Sequence, residues 1–246
     1  MYKQLTKKVF LALFILSTTT SLFANDSLTI AKKAFKNKKY TQAIFYYNKH
    51  LKENSISFTT SPLKASSIYN NLGRSYKRTK QYEKAKIMYN KALELEKQAP
   101  IPHQYAIPSL YNNLGVLYTA LGQYTKAINY LDKTHSIYSN KQQPPAQRLA
   151  QCYTNYGRAY YGKGSYDKAI DNFQRSLIIR LQELGLKHIL VAKNYNDLSH
   201  AFEKKSNQEQ ALFYATKAAT SVIKKYSSRH PISIDYIKHV KSLVKK

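Results

Sequence analysis

The same residues return every 42 positions through this chain, and few folds are compatible with that. Alanine stands at Ala43, Ala85, Ala127, Ala169 and Ala211, and tyrosine at Tyr69, Tyr111, Tyr153 and Tyr195. The pairs Leu72-Gly73, Leu114-Gly115 and Tyr156-Gly157 keep the same register, as do Tyr76, Tyr118 and Tyr160. Five copies of one unit can bury their apolar faces only against one another. The expected product is a stacked array that offers surface rather than an enclosed reaction site.

Each unit reads as two helices and a turn. In the third, Tyr111, Leu114, Gly115 and Tyr118 fall at i, i+3, i+4 and i+7, one apolar stripe on a helix. A glycine on that stripe costs a helix about 1 kcal/mol, so Gly115 implies close approach of a neighbouring helix. Gly122 marks the turn, and Ala127 repeats the small-residue device on the second helix. The seven prolines (Pro62, Pro100, Pro102, Pro108, Pro144, Pro145 and Pro231) are all expected between one unit's second helix and the next unit's first. Cys152 is the single cysteine, which excludes an internal disulfide, and it reads as a small packing residue beside Tyr153.

This pattern resembles the tetratricopeptide repeat (TPR), with Tyr in place of that family's usual Trp, over residues 27 to about 219. The usual unit is about 34 residues, so eight are extra here. Ile179-Arg180 followed by Leu184-Gly185 and His188 is similar to the 42-residue repeats of kinesin light chains and their bacterial relatives, and His230-Pro231 follows 42 residues later. The resemblance implies an all-α fold, a right-handed α-solenoid of about five TPR hairpins. The units fall near residues 27–65, 66–107, 108–149, 150–191 and 192–231, with a C-terminal capping helix over 232–246.

Ahead of the repeats, Lys3, Lys7 and Lys8 precede an apolar run from Val9 to Leu16, then a polar stretch and Leu22-Phe23-Ala24. That layout predicts a cleaved export signal over residues 1–24, too short in its apolar part to span a bilayer, and a periplasmic or secreted protein. Without the leader's lysines, 37 basic residues stand against 13 acidic ones, a formal charge of +24. Such a field favours acidic partners, although lysines on solvated helix faces need none. No nucleic-acid fold signature is visible, and no nucleic acid is expected as partner.

Opposite the packing stripe of each first helix lie the positions that, in the TPR family, face a concave peptide groove. The second unit places Ser67, Asn71, Arg74 and Arg78 there; the third Ser109, Asn113, Val116 and Ala120; the fourth Gln151, Asn155, Arg158 and Gly162; the fifth Lys193, Asp197, His200 and Lys204. Asn71, Asn113 and Asn155 are expected to form an exposed ladder, each amide offering donor and acceptor to an extended peptide backbone. Arg74 and Arg158 would take carboxylates, and Val116, Ala120 and Gly162 would leave a small apolar spot. Family members that clamp a C-terminal carboxylate carry Lys where this chain has Ser67, Ser109 and Gln151. An internal acidic segment is therefore expected rather than a free C-terminus.

Catalysis finds no support. The seven histidines show no metal-ligand pair on one helix, Gly162-Lys163-Gly164-Ser165 lacks the layout of a phosphate loop, and no nucleophile elbow is present. No enzyme, metal or cofactor is expected. Two functions are left: an exported scaffold binding a protein or peptide partner through an acidic segment, or a cationic binder of anionic envelope surfaces.

Overall fold

The computed structural model describes residues 27–54, 62–142 and 144–245, and within them every regular element is a helix. Eleven helices follow one another: α1 (27–36), α2 (Tyr40–Glu53), α3 (Pro62–Arg78), α4 (Tyr82–Gln98), α5 (Ala106–Ala120), α6 (Tyr124–Ser139), α7 (Ala146–Gly162), α8 (Tyr166–Leu184), α9 (Ile189–Lys204), α10 (Gln208–Tyr226) and α11 (Pro231–Val244). The first ten pair as five hairpins, and α11 packs on α10. The chain forms two compact units, Met1–Leu110 and Tyr111–Lys246, with the boundary inside α5. Among the described residues no helix is long and apolar enough to cross a membrane. The expected leader, residues 1–24, lies outside the described residues.

One turn is built five times. Lys38, Lys80, Gly122, Gly164 and Ser206 all adopt a left-handed backbone conformation, with φ of 61°, 60°, 71°, 83° and 58°. Each donates its N–H to the carbonyl three residues back, while the next residue donates to the carbonyl five back, as in Lys80 N–H to Lys77 O and Gln81 N–H to Tyr76 O. This paired bonding ends a helix by satisfying its last carbonyls while reversing the chain, and the left-handed residue makes it possible. Only Gly122 and Gly164 meet that demand without a steric cost.

Inside each hairpin a small residue on the first helix faces a larger one on the second. Gly73 lies against the Tyr89 ring, Gly115 against Leu131 and Gly157 against Phe173. The same register holds Ala31 and Ser199, both buried, the latter donating to Ala211 O at 2.7 Å. The repeated Ala43, Ala85, Ala127, Ala169 and Ala211 are wholly buried. Cys152 is buried too, and burial beside Asp132 pushes its thiol up to about 12, so it is inert packing rather than a reactive group.

Pro100, Pro102, Pro144 and Pro145 lie between helices as expected, and the other three prolines depart from that place. Pro62 and Pro231 open α3 and α11, and Pro108 sits in the first turn of α5. First-turn residues have no intrahelical acceptor for their N–H, so a proline there loses no bond. The fourth connector is closed by side chains: His188 accepts from the Leu190 N–H at 3.2 Å, and Arg180 donates to Leu190 O at 3.3 Å. His230 repeats the cap on Ile232 N–H at the start of α11, also at 3.2 Å.

Much of the positive charge has an intramolecular use. Lys84, Lys126 and Lys168 lie over the rings of Tyr76, Tyr118 and Tyr160, at 5.7, 5.9 and 5.6 Å from the ring centres. Lys91, Lys133 and Arg175 cover Tyr69, Tyr111 and Tyr153 in the same way, at 5.6, 5.5 and 5.9 Å. Each contact joins the two helices of one hairpin and attracts by about 0.5–1 kcal/mol at an exposed position. The tyrosines and the lysines of this sequence are thus partly one repeated feature.

Candidate ligand-binding face

The groove positions of the second repeat, inside the compact unit Met1–Leu110, come together as a basic surface. Arg74 is exposed, its guanidinium 4.6 Å above the Phe35 ring and 3.4 Å from Asn71 Oδ1. The Tyr47 hydroxyl lies against Asn71 and Arg74, and burial pushes it up to about 12, so it stays protonated. Arg78 is exposed on the following turn. Neither arginine bonds a carboxylate among the described residues. Beside Asn71 a cleft of about 530 Å³ is lined by Lys32, His50, Lys64, Ser67, Asn71 and His103, among others, and by no acidic residue among those described. One wall is fixed by Glu96, which is buried and accepts from Ser66 Oγ at 2.7 Å and from the His103 backbone N–H at 3.0 Å.

The second unit treats its groove positions differently. Asn155 is only 4 % exposed: its Nδ2 donates to Asn112 Oδ1 at 2.8 Å, and its Oδ1 accepts from Gln151 Nε2 at 3.1 Å. The expected exposed rung is therefore a packing contact between α5 and α7, because a polar side chain from each helix completes it. Arg158, expected to meet a ligand carboxylate, bonds Asp197 Oδ2 at 3.0 Å. That partner was itself among the predicted groove positions, one unit further on. Gly162 offers no open apolar spot, since the Tyr124 ring occupies the space a side chain there would need. Asn113 and Val116 are half-buried on α5, and Lys193 is exposed on α9.

Behind Asn155 runs a buried polar chain that the sequence did not announce. Gln151 Oε1 accepts from Arg180 Nη2 at 3.3 Å, and Arg180 Nη1 also donates to Asn194 Oδ1. Asn194 Nδ2 donates to Phe173 O at 3.1 Å, and Thr154 and Ser176 share a hydrogen bond of 2.8 Å. Burial, with Arg158 nearby, pushes the Arg180 guanidinium down to about 10, still charged at neutral pH. The network ties α7, α8 and α9 and gives Arg180 a structural role. Among titratable groups that could hold a cation, His200, Glu203 and His239 gather on α9 and α11.

With this geometry described, the comparisons are consistent with it. A tetratricopeptide repeat family model matches residues 64–140, 106–181 and 148–221, so the chain belongs to the TPR family. Among solved structures, BtubC (BKLC) from P. vanneervenii superposes with a TM-score of 0.72 at 14 % identity, covering 84 % of this chain and 83 % of that one. Kinesin light chain-like TPR repeats from Podosopora anserina give 0.62 at 16 % identity, covering 82 % and 96 %. Aspartyl phosphate phosphatase F from Bacillus subtilis gives 0.72 at 16 % identity, over 92 % of this chain and 60 % of that one. At such identities the likeness speaks for the fold. No curated protein sequence matches the chain. The protein is a TPR solenoid of the protein-interaction scaffold class, a fold that typically works without catalysis.

Proposed function

We propose that this scaffold is exported and binds an extended, acidic protein segment along the inner positions of its first helices. The observation that carries the reading is the basic surface of the compact unit Met1–Leu110, where Lys32 and Lys64 line an open cleft with no acidic residue among those described, Arg74 bonds the lining Asn71, and Arg78 is exposed on the next turn. Asn71 would hold ligand backbone there. The arginines, one already positioned by Phe35, would take carboxylates. Within the compact unit Tyr111–Lys246, Asn113, Val116 and Lys193 are the positions that would meet ligand. Arg158 would join only by exchanging Asp197 for a ligand carboxylate, and Asn155 would support the face from behind.

The test is binding of a synthetic peptide of alternating Glu and Ala. Asn71→Ala is expected to weaken it by about 0.5–1.5 kcal/mol with little salt dependence. Arg74→Ala and Arg78→Ala should weaken it more at low than at high ionic strength, since screened charge is what they contribute. The control is Lys84, Lys126 and Lys168 replaced together by Gln, with anionic phosphatidylglycerol vesicles as a second probe. Loss in that control, with Asn71 and the arginines indifferent, would make the protein a cationic binder of anionic envelope surfaces instead.

The export half of the reading rests on Lys3, Lys7, Lys8 and the apolar run ending at Leu16. Fused to a reporter active only outside the cytoplasm, residues 1–40 should give activity, and N-terminal sequencing of the exported protein should begin at or near Asn25. A product that keeps Met1 and stays in the cytosol would overturn it.

A further inference from the structure

We propose that His200, Glu203 and His239 form a binding site for a borderline divalent transition-metal ion, Zn²⁺ being the probe of choice. One ligand atom from each of the three lies within 4.8 Å of the other two. His200 Nδ1 is 3.6 Å from Glu203 Oε2, and His239 Nε2 is 3.9 Å from that same oxygen. The two imidazole rings stack, their centroids 4.2 Å apart and their planes 16° from parallel, so the three donor atoms are gathered while the two lone pairs run side by side. Tetrahedral zinc with bonds of about 2.0–2.1 Å sets its ligand atoms about 3.3 Å apart, so closing the site takes a turn of the His200 ring out of that stack, for which its 44 % exposed side chain has room.

The surroundings fit that use. His239 Nδ1 is 3.0 Å from Asn196 Oδ1, and donation to this amide oxygen assigns the proton to Nδ1 and turns the Nε2 lone pair toward Glu203. The side chains of His200, Glu203 and His239 are 44 %, 26 % and 14 % exposed, and His239 Nε2 itself is buried, so an ion would enter from the His200 and Glu203 side and keep a face there for water or a ligand atom from a partner. Nitrogen-rich mixed donors of this kind select zinc, nickel or copper over magnesium and calcium. Because α9 carries His200 and Glu203 while α11 carries His239, the ion would clip the terminal helix onto the last hairpin.

The experiment is calorimetric titration of the untagged full-length chain with Zn²⁺, with Mg²⁺ as the hard-ion control, alongside hydrogen exchange of α11. One equivalent of Zn²⁺ is expected to bind saturably, to slow exchange in α11, and to leave no trace with Mg²⁺. H200A, E203Q and H239A should each weaken binding by roughly tenfold or more, while H135A, outside the group, keeps it. E203Q is nearly isosteric, and circular dichroism of it separates lost ligation from lost folding. Absence of saturable binding, or binding that survives any of the three substitutions undiminished, would overturn the site.

Discussion

Replacing Arg180 by alanine is expected to destabilise the second unit by about 3–4 kcal/mol. The side chain is 2 % exposed and fills space between α8 and α9 while donating to three acceptors, Asn194 Oδ1, Leu190 O and Gln151 Oε1. Truncation removes the buried stem and takes one donor from each of those acceptors in a place water does not easily reach. The two contributions separate with Arg180→Met, which keeps most of the volume and none of the donors and should cost about 1–3 kcal/mol. Denaturant unfolding of both variants gives the answer. A methionine variant as stable as the parent would mean that the polar chain through Asn194 and Gln151 adds nothing beyond filling space.

The second large effect is expected from the mildest substitution available, Gly157→Ala in α7. In an unencumbered helix this change gains about 1 kcal/mol. Here the added methyl would fall inside the Phe173 ring, which is 2 % exposed and has nowhere to move. A net loss of about 1–3 kcal/mol should result, from overpacking that exceeds the propensity gain. Gly115→Ala, whose new methyl would meet Leu131 at 2.8 Å, should lose less because leucine has alternative rotamers. Thermal melts of the two variants check both the sign and the order. A Gly157→Ala protein that melts at or above the parent would remove close helix approach as the reason for glycine there.

The array itself was legible because its cause is local and repeated. Apolar spacing within a unit set the helices, and small residues at Gly73, Gly115 and Gly157 pointed to the tight crossings that the structure contains. The face was legible only as positions. That Arg158 is engaged by Asp197, and Asn155 by Asn112, depends on side chains reaching from one 42-residue repeat to the next. A single-helix projection contains no such distance. The lysine–tyrosine pairs were within reach, since Lys84, Lys126 and Lys168 recur at the period of Tyr76, Tyr118 and Tyr160. Period alone does not reveal them, because the tyrosines also fit as packing residues and the lysines also fit as solvated charge. The His200, Glu203 and His239 group was passed over because one member comes from a different helix.

The recurrence of one left-handed turn at Lys38, Lys80, Gly122, Gly164 and Ser206 bears on how the gene for such a chain can change. Unequal recombination between two copies adds or removes a block of 42 residues, and the reading frame is kept. Wherever within the unit the exchange falls, the joined backbone arrives at the next reversal in the same conformation with the same two hydrogen bonds waiting. Neither the helices nor their crossings need compensating mutations. Hairpin number is therefore a quantity that lineages can vary in whole steps, while the residues on the exposed faces diverge independently to suit whatever is bound.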